Sequence, residues 1–208
     1  MKDEANARVT TERAANTYDT LPVTPFKPTK AQLAEAVHLP VPDLIAPGLD
    51  VLFCGINPGL YTAAIGRHFG RPGNRFWPAL YGAGFTPRLF SPWDQRDLLA
   101  LGIGITNMVE RTTATAAELS PEEYVRGGER LTRDVTQCAP RVVAFLGIGA
   151  YRSAFGRPKA ALGLQAERIG TSALWVLPSP SGLNANHQLP DLIALFGALR
   201  AWVETMGR

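Results

Sequence analysis

Cysteine is nearly absent: the 208-residue chain holds only Cys54 and Cys138. Two thiols supply neither a disulfide framework nor the four thiolates of an iron–sulfur or structural zinc site, so both are expected to be small core residues. Long hydrophobic runs are also missing. No stretch approaches the roughly 18 apolar residues that a membrane helix requires. Met1 to Thr20 lacks the apolar middle of a secretory signal, and Asp3, Glu4, Glu12 and Asp19 are unlike an organelle transit peptide. A soluble, cytoplasmic protein is the expectation. There is no internal repeat and no low-complexity block. With 46% hydrophobic and 19% charged residues, the length suits one domain with a sizeable core better than two small ones.

Acidic residues are missing from two long stretches. Between Val51 and Trp93 there is no Asp or Glu, but there are Arg67, Arg71, Arg75 and Arg88. From Val135 to Pro190 the sole acid is Glu167, against Arg141, Arg152, Arg157, Lys159 and Arg168, while eight of the chain's 18 acids fall between Asp94 and Asp134. The net charge of +3 is too small to identify a partner, but this placement is what a surface facing a polyanion such as nucleic acid would have.

What is present is an alternation of short apolar runs and helical patterns. Residues 1–28 are polar and contain Pro22, Pro25 and Pro28, which predicts a mobile tail preceding a single domain over 29–208. Apolar strands are expected at 51–54, 103–106, 142–146 and 173–177. Helices are expected at 31–38, 75–81 (capped by Asn74), 92–100, 121–137, 149–155 and 190–205, with a long Gly/Arg-containing loop up to Gly73. Ser120-Pro121-Glu122-Glu123 is a capping box with proline at the first helical position. Four apolar strands alternating with helices imply a parallel sheet covered on both sides.

Two strand-to-turn segments stand out. Val51-Leu52-Phe53-Cys54 runs into Gly55-Ile56-Asn57-Pro58-Gly59-Leu60, and Leu174-Trp175-Val176-Leu177 runs into Pro178-Ser179-Pro180-Ser181-Gly182-Leu183-Asn184. Turns of this kind can meet at the carboxyl edge of a parallel sheet, where open α/β folds bind ligands. Together with Gly66-Arg67-His68-Phe69 and Pro72-Gly73-Asn74-Arg75-Phe76-Trp77, they resemble the mismatch-specific uracil-DNA glycosylase and thymine-DNA glycosylase family, over roughly residues 48 to 204. Sister families carry an aspartate in the first turn or an iron–sulfur cluster, and this sequence has neither feature.

The resemblance implies a three-layer α/β/α sandwich around a four-stranded parallel sheet, the uracil-DNA glycosylase fold. It implies a monomeric enzyme with no metal, organic cofactor or obligate protein partner. The expected reaction is hydrolysis of the bond between uracil and sugar in double-stranded DNA containing a U:G mismatch. Asn57 is then expected to hold the attacking water. Phe69 would stack on the extruded base, with backbone groups of Ile56 and Phe69 at its polar edge. Thr62 would face the pyrimidine C5 position and disfavour a methyl group. His68 is expected near the pocket or a phosphate, and Asn107 stands where some relatives have lysine. Gly182 and Leu183 would enter the gap left by the flipped nucleotide, with Ser179, Ser181 and Asn184 contacting DNA. Asn184 and Ala185 depart from the family, some members having arginine at the latter position. Asn186 or His187 could meet a phosphate or cap the last helix. Asp94 is a candidate carboxylate for activating water, although an acid at a helix start is also simply favoured by the helix dipole.

Two other readings compete. Gly147-Ile148-Gly149-Ala150-Tyr151-Arg152 begins like a dinucleotide fingerprint, but Arg152 replaces its third glycine, and Glu167 precedes the next strand rather than ending it. A module that binds mismatches without cutting them would have no use for a water-holding amide at Asn57.

Overall fold

A computed structural model describes residues 24–207. Most of the predicted tail lies outside these residues. Within its described end, Phe26 sets its ring 6.0 Å from Trp93 and Pro28 is buried.

The sheet has five strands in the order β2-β1-β3-β5-β4, with β1 Val51–Gly55, β2 Ile103–Asn107, β3 Val142–Leu146, β4 Gly163–Ile169 and β5 Ser172–Leu177. Strands β2, β1, β3 and β5 are parallel, as the alternating pattern predicted. The fifth, β4, corrects the four-stranded expectation: it is an antiparallel edge strand paired with β5. Its residues alternate between half-buried and exposed until the buried Ile169, so β4 lacks the continuous apolar run of a central parallel strand.

Strands β1, β2 and β3 are buried along their whole length because both faces are covered. On one face Val51 and Phe53 join Val142, Ala144 and Leu146 under α3 (Phe76–Gly82) and α6 (Leu189–Thr205). On the other, Leu52 and Cys54 join Val143 and Phe145 under α4 (Pro121–Cys138) and α5 (Ile148–Phe155). Burial pushes the Cys54 thiol well above its usual range, as befits a small core residue. A short α1, Lys30–Glu35, precedes β1 and starts at a Thr29–Gln32 capping box.

Two features of α4 bring it close to the sheet edge. Gly127 and Gly128 sit where a Cβ would lie 2.2 Å from the Met108 carbonyl oxygen and 2.9 Å from that of Ala154. Only glycine permits that approach, which seats the helix against the end of β2 and against α5. Its start is the predicted capping box, with Ser120 Oγ accepting from Glu123 N and Glu123 accepting from Ser120 N.

The expected loop between β1 and Gly73 contains a helix instead, α2 (Leu60–Ile65). It has no capping side chain at Gly59 and stops at Gly66, whose φ is +64°. Segment 92–101 is a 3-10 helix rather than an α-helix, and it opens with a Ser91–Asp94 capping box.

Candidate active site

Parallel strands leave their carboxyl ends on one edge, and β1 is the strand from which the chain first steps to β2 and then crosses to β3 on its other side. Such a reversal opens a crevice. A cavity of about 350 Å³ lies there, lined by residues from the end of each parallel strand: Gly55 of β1 with Ile56 and Asn57 after it, Asn107 of β2, Leu146 of β3 and Ser179 after β5. That volume is within the range of roughly 300–1,000 Å³ typical of small-ligand sites. A larger groove of about 650 Å³ adjoins it, sharing Ile56, Ala116, Ser179 and Asn184, but Asn57 lines only the smaller one.

The first turn is held by the segment that follows β2. Gly55 O accepts from Met108 N, Ile56 O from Val109 N, and Pro58 O from Thr113 N. The Asn57 amide nitrogen donates to Arg111 O at 2.9 Å and to Thr113 Oγ1 at 2.7 Å. Thr113 donates its own hydroxyl proton to Thr115 O, so it must accept from Asn57. These partners fix the orientation of the amide: its nitrogen is committed, and Oδ1 is the end left to accept a proton from a ligand or water.

Phe69 forms a wall of the cavity. Its ring stacks on Phe76 with centroids 4.0 Å apart, so one face has an aromatic backing. Its φ is +52°, unusual for a bulky residue and costing on the order of 1 kcal/mol. The neighbours on either side hold that conformation, since His68 N donates to Gln95 Oε1 and Gly70 N donates to Thr62 Oγ1. Thr62 is thereby buried in the wall with its hydroxyl oxygen engaged. Gly55 is required by the same wall: a Cβ there would stand 2.6 Å from Asn107 Oδ1 and 3.4 Å from the Phe69 ring.

Of the two places expected for His68, the pocket or a phosphate, it takes the first: it lines the cavity and is only 1% exposed. Its Nε2 lies 2.8 Å from Pro42 O, a group that can only accept, so Nε2 carries the proton and Nδ1 faces the Asn107 amide nitrogen at 3.5 Å. Burial lowers its pKa to about 4, leaving it neutral near pH 7.

The second turn reaches the same cavity, which Ser179, Ser181, Leu183 and Asn184 line alongside Asn57. Leu183 is 67% exposed. Gly182 packs so close to the loop before α3 that a Cβ would sit 2.7 Å from Gly73 O. Ser179 Oγ accepts from Ser181 N and Ser181 Oγ from Leu183 N, so both hydroxyls shape the turn. Neither Asn186 nor His187 caps α6; Gln188 and Asp191 form that capping box.

Sequence reasoning gave no role to the residue that ties the second turn to the start of α3. Arg75 donates to His187 O at 2.6 Å, to Asn184 O at 2.8 Å and to Ser181 O, while its backbone N–H donates to Pro180 O at 2.9 Å. Arg111 and Thr113 were missed as well. Strand-like or helical periodicity does not mark any of the three, because each acts through contacts distant in sequence.

Asp94 is absent from the cavity. Its carboxylate accepts from Ser91 N and Ser91 Oγ and pairs with Arg88 at 2.9 Å. Burial alone would raise its pKa, but the bonds from Arg88 and Ser91 outweigh this and hold it below the usual value. A capped helix start, not catalysis, accounts for this residue. Part of the basic stretches is engaged within the fold: Arg67 is buried with its guanidinium 5.4 Å from the Trp93 ring, Arg88 pairs with Asp94, Arg141 with Asp50, and Arg157 with Glu167. Of the other cations in these stretches, Arg71 lines the cavity and Arg152 the adjoining groove. The dinucleotide reading loses its acid, since Glu167 lies on edge strand β4 beside Arg157.

A family model described as the uracil DNA glycosylase superfamily matches residues 42–200, which include every strand and all of the cavity lining. The chain belongs to the uracil DNA glycosylase superfamily, and with it to the DNA-repair hydrolases that cut uracil from its sugar.

Proposed function

We propose that this chain is a mismatch-specific enzyme that excises uracil from U:G pairs in double-stranded DNA and leaves an abasic site. The observation that carries the proposal is the convergence of Asn57, Phe69, Asn107 and the exposed Leu183 on one cavity. A base inside a duplex is out of reach of water, so the nucleotide must rotate out at a cost of a few kcal/mol, least for a mismatched base. Leu183 fills the gap as an apolar wedge in this reading, while the uracil enters against Phe69; the exposure of Leu183 at the cavity supports it. Thr62, buried in the wall, limits room near a pyrimidine substituent and favours uracil over thymine.

Chemistry then falls to Asn57. Its Oδ1 can accept a hydrogen bond from water and so aim the oxygen at the sugar, but an amide cannot take the proton. With the His68 pKa lowered to about 4 and its Nδ1 facing the Asn107 amide, and with Asp94 turned to its helix, no effective base near neutral pH lies among the groups assigned to the site. Cleavage must lean on departure of the uracil anion and a cationic sugar, stabilised by polar groups already fixed in place. Asn107 and the Ile56 and Phe69 backbone are the groups at hand for the oxygens of the leaving base. Ser179, Ser181, Gly182 and Asn184 would follow the DNA strand.

The test is direct. Incubating the protein with a duplex carrying one U:G pair, then cleaving abasic sites with alkali, should give a single cut at the uracil. Intact DNA that is nevertheless bound would favour a binding module instead. Equal cutting of U:A would remove the mismatch specificity but keep the glycosylase.

A further inference from the structure

Asn57 is set by groups that are themselves held from outside the cavity. The carbonyl receiving its amide proton belongs to Arg111, and the Arg111 side chain turns away to α4. There Nε donates to Glu123 Oε1 at 2.6 Å, a second guanidinium nitrogen donates to Glu123 Oε2 at 3.0 Å, and the same nitrogen donates to Glu118 O at 3.0 Å. Glu123 is therefore used twice. One oxygen also closes the capping box of α4 by accepting from Ser120 N at 2.9 Å.

We propose that the two-pronged Glu123–Arg111 pair is a positioning device for Asn57, locking the peptide whose carbonyl orients the water-holding amide. This inference rests on the role proposed above for Asn57. Neither Glu123 nor Arg111 lines the cavity, so neither touches substrate. Their pairing fixes the rotation of the 111–113 segment, which supplies Asn57 with Arg111 O on one side and Thr113 Oγ1 on the other. Two parallel N–H···O bonds between planar groups restrict orientation as well as distance, and a lysine in place of Arg111 would keep the charge but lose the fork. An ion pair whose arginine is open to solvent contributes little to stability, so its effect should appear in geometry at the cavity instead.

The capping box provides the discriminating variant. Glutamine serves at the third helical position as glutamate does, so Glu123→Gln keeps the Ser120 cap while removing the charge that binds Arg111. Glu123→Gln should lower the single-turnover rate of uracil release from a U:G duplex about tenfold, since small misplacement of a catalytic group is costly. Affinity for the abasic product duplex should stay within about twofold, the bound surface being unchanged. Arg111→Lys should behave alike. In the free protein, the side-chain amide resonance of Asn57, assigned by its loss in Asn57→Asp, should shift in Glu123→Gln. An unmoved amide resonance, or a parental rate in both variants, overturns the proposal; a lowered melting temperature alone would mark Glu123 as a helix cap. The resonance does not depend on substrate, so a wild-type protein that fails to release uracil would refute the assigned reaction while leaving the positioning question answered.

Discussion

The two turns that meet at the cavity are built differently. Residues 55–58 are fastened by backbone bonds to 108, 109 and 113 and by the Asn57 amide, so their conformation is set by the extension of a parallel sheet. Residues 180–187 hang chiefly on one guanidinium, that of Arg75, with serine and asparagine side chains bracing the turn internally. The first arrangement suits a group that must not move during chemistry. The second suits the part proposed for this tip, an exposed Leu183 carried on a turn that can adjust as DNA is met.

Variants can break this contrast. Asn57→Ala should cause the largest change, slowing single-turnover excision about a thousandfold, in the range one positioned catalytic group supplies. Binding to the abasic product should survive. Next comes Gly55→Ala, whose added methyl would press on Asn107 Oδ1 and the Phe69 ring; excision should fall about a hundredfold, as expected for displacement of roughly 1 Å at a reacting site. On the other turn, Arg75→Met should raise the Kd for product DNA about tenfold, because a released turn must be ordered again on binding. Leu183→Ala should be mildest, about fivefold in excision with no change in Tm, consistent with roughly 1 kcal/mol for the lost apolar wedge. If Arg75→Met and Leu183→Ala instead cut the rate at saturating DNA as deeply as Asn57→Ala, the division of labour fails.

A smaller effect concerns pH. The folded pKa of His68 is lowered from 6.5 to about 4, so the stability it contributes is complete above pH 6.5 and is lost as pH falls towards 4. Asp43 runs the other way: burial raises it from 3.8 to about 6 despite Arg130, so its penalty is present above pH 6 and is relieved on acidification. Each is worth on the order of 3 kcal/mol, and the two largely offset between pH 4 and 6.5. Denaturant unfolding should show His68→Gln gaining stability, relative to the parent, as pH falls through that window, and Asp43→Asn losing it. Parallel profiles for parent and variants would contradict both assignments.

Much of this architecture was legible because its signals are local. The four parallel strands are continuous apolar runs, and the Ser120 capping box announces α4. Strand β4 was not legible, since Gln165, Glu167 and Arg168 give an edge strand little hydrophobicity, and α2 was hidden by its uncapped start between glycines. Within the site, the motif residues Asn57, Phe69 and Leu183 could be named from sequence and do line one cavity. Their supports could not be, because Arg75, Arg111 and Thr113 act across long separations. Charge placement pointed to the right class of partner but not to the residues: Asp50, Asp94 and Glu167 claim Arg141, Arg88 and Arg157, while Arg71 lines the cavity and Arg152 the adjoining groove in a chain whose superfamily acts on DNA.

The central claim is that Asn57, held rigidly at the carboxyl edge of β1, directs water at a deoxyuridine drawn from a U:G pair. Single-turnover excision from a U:G duplex, followed from pH 6 to 9 for the parent and Asn57→Ala, tests it most directly. The account predicts a flat profile for the parent, as no group assigned to the reaction titrates in that range, and a loss of about a thousandfold in the variant at every pH. A near-parental rate in Asn57→Ala, or a steep acid limb that vanishes in Asp94→Asn, would contradict it.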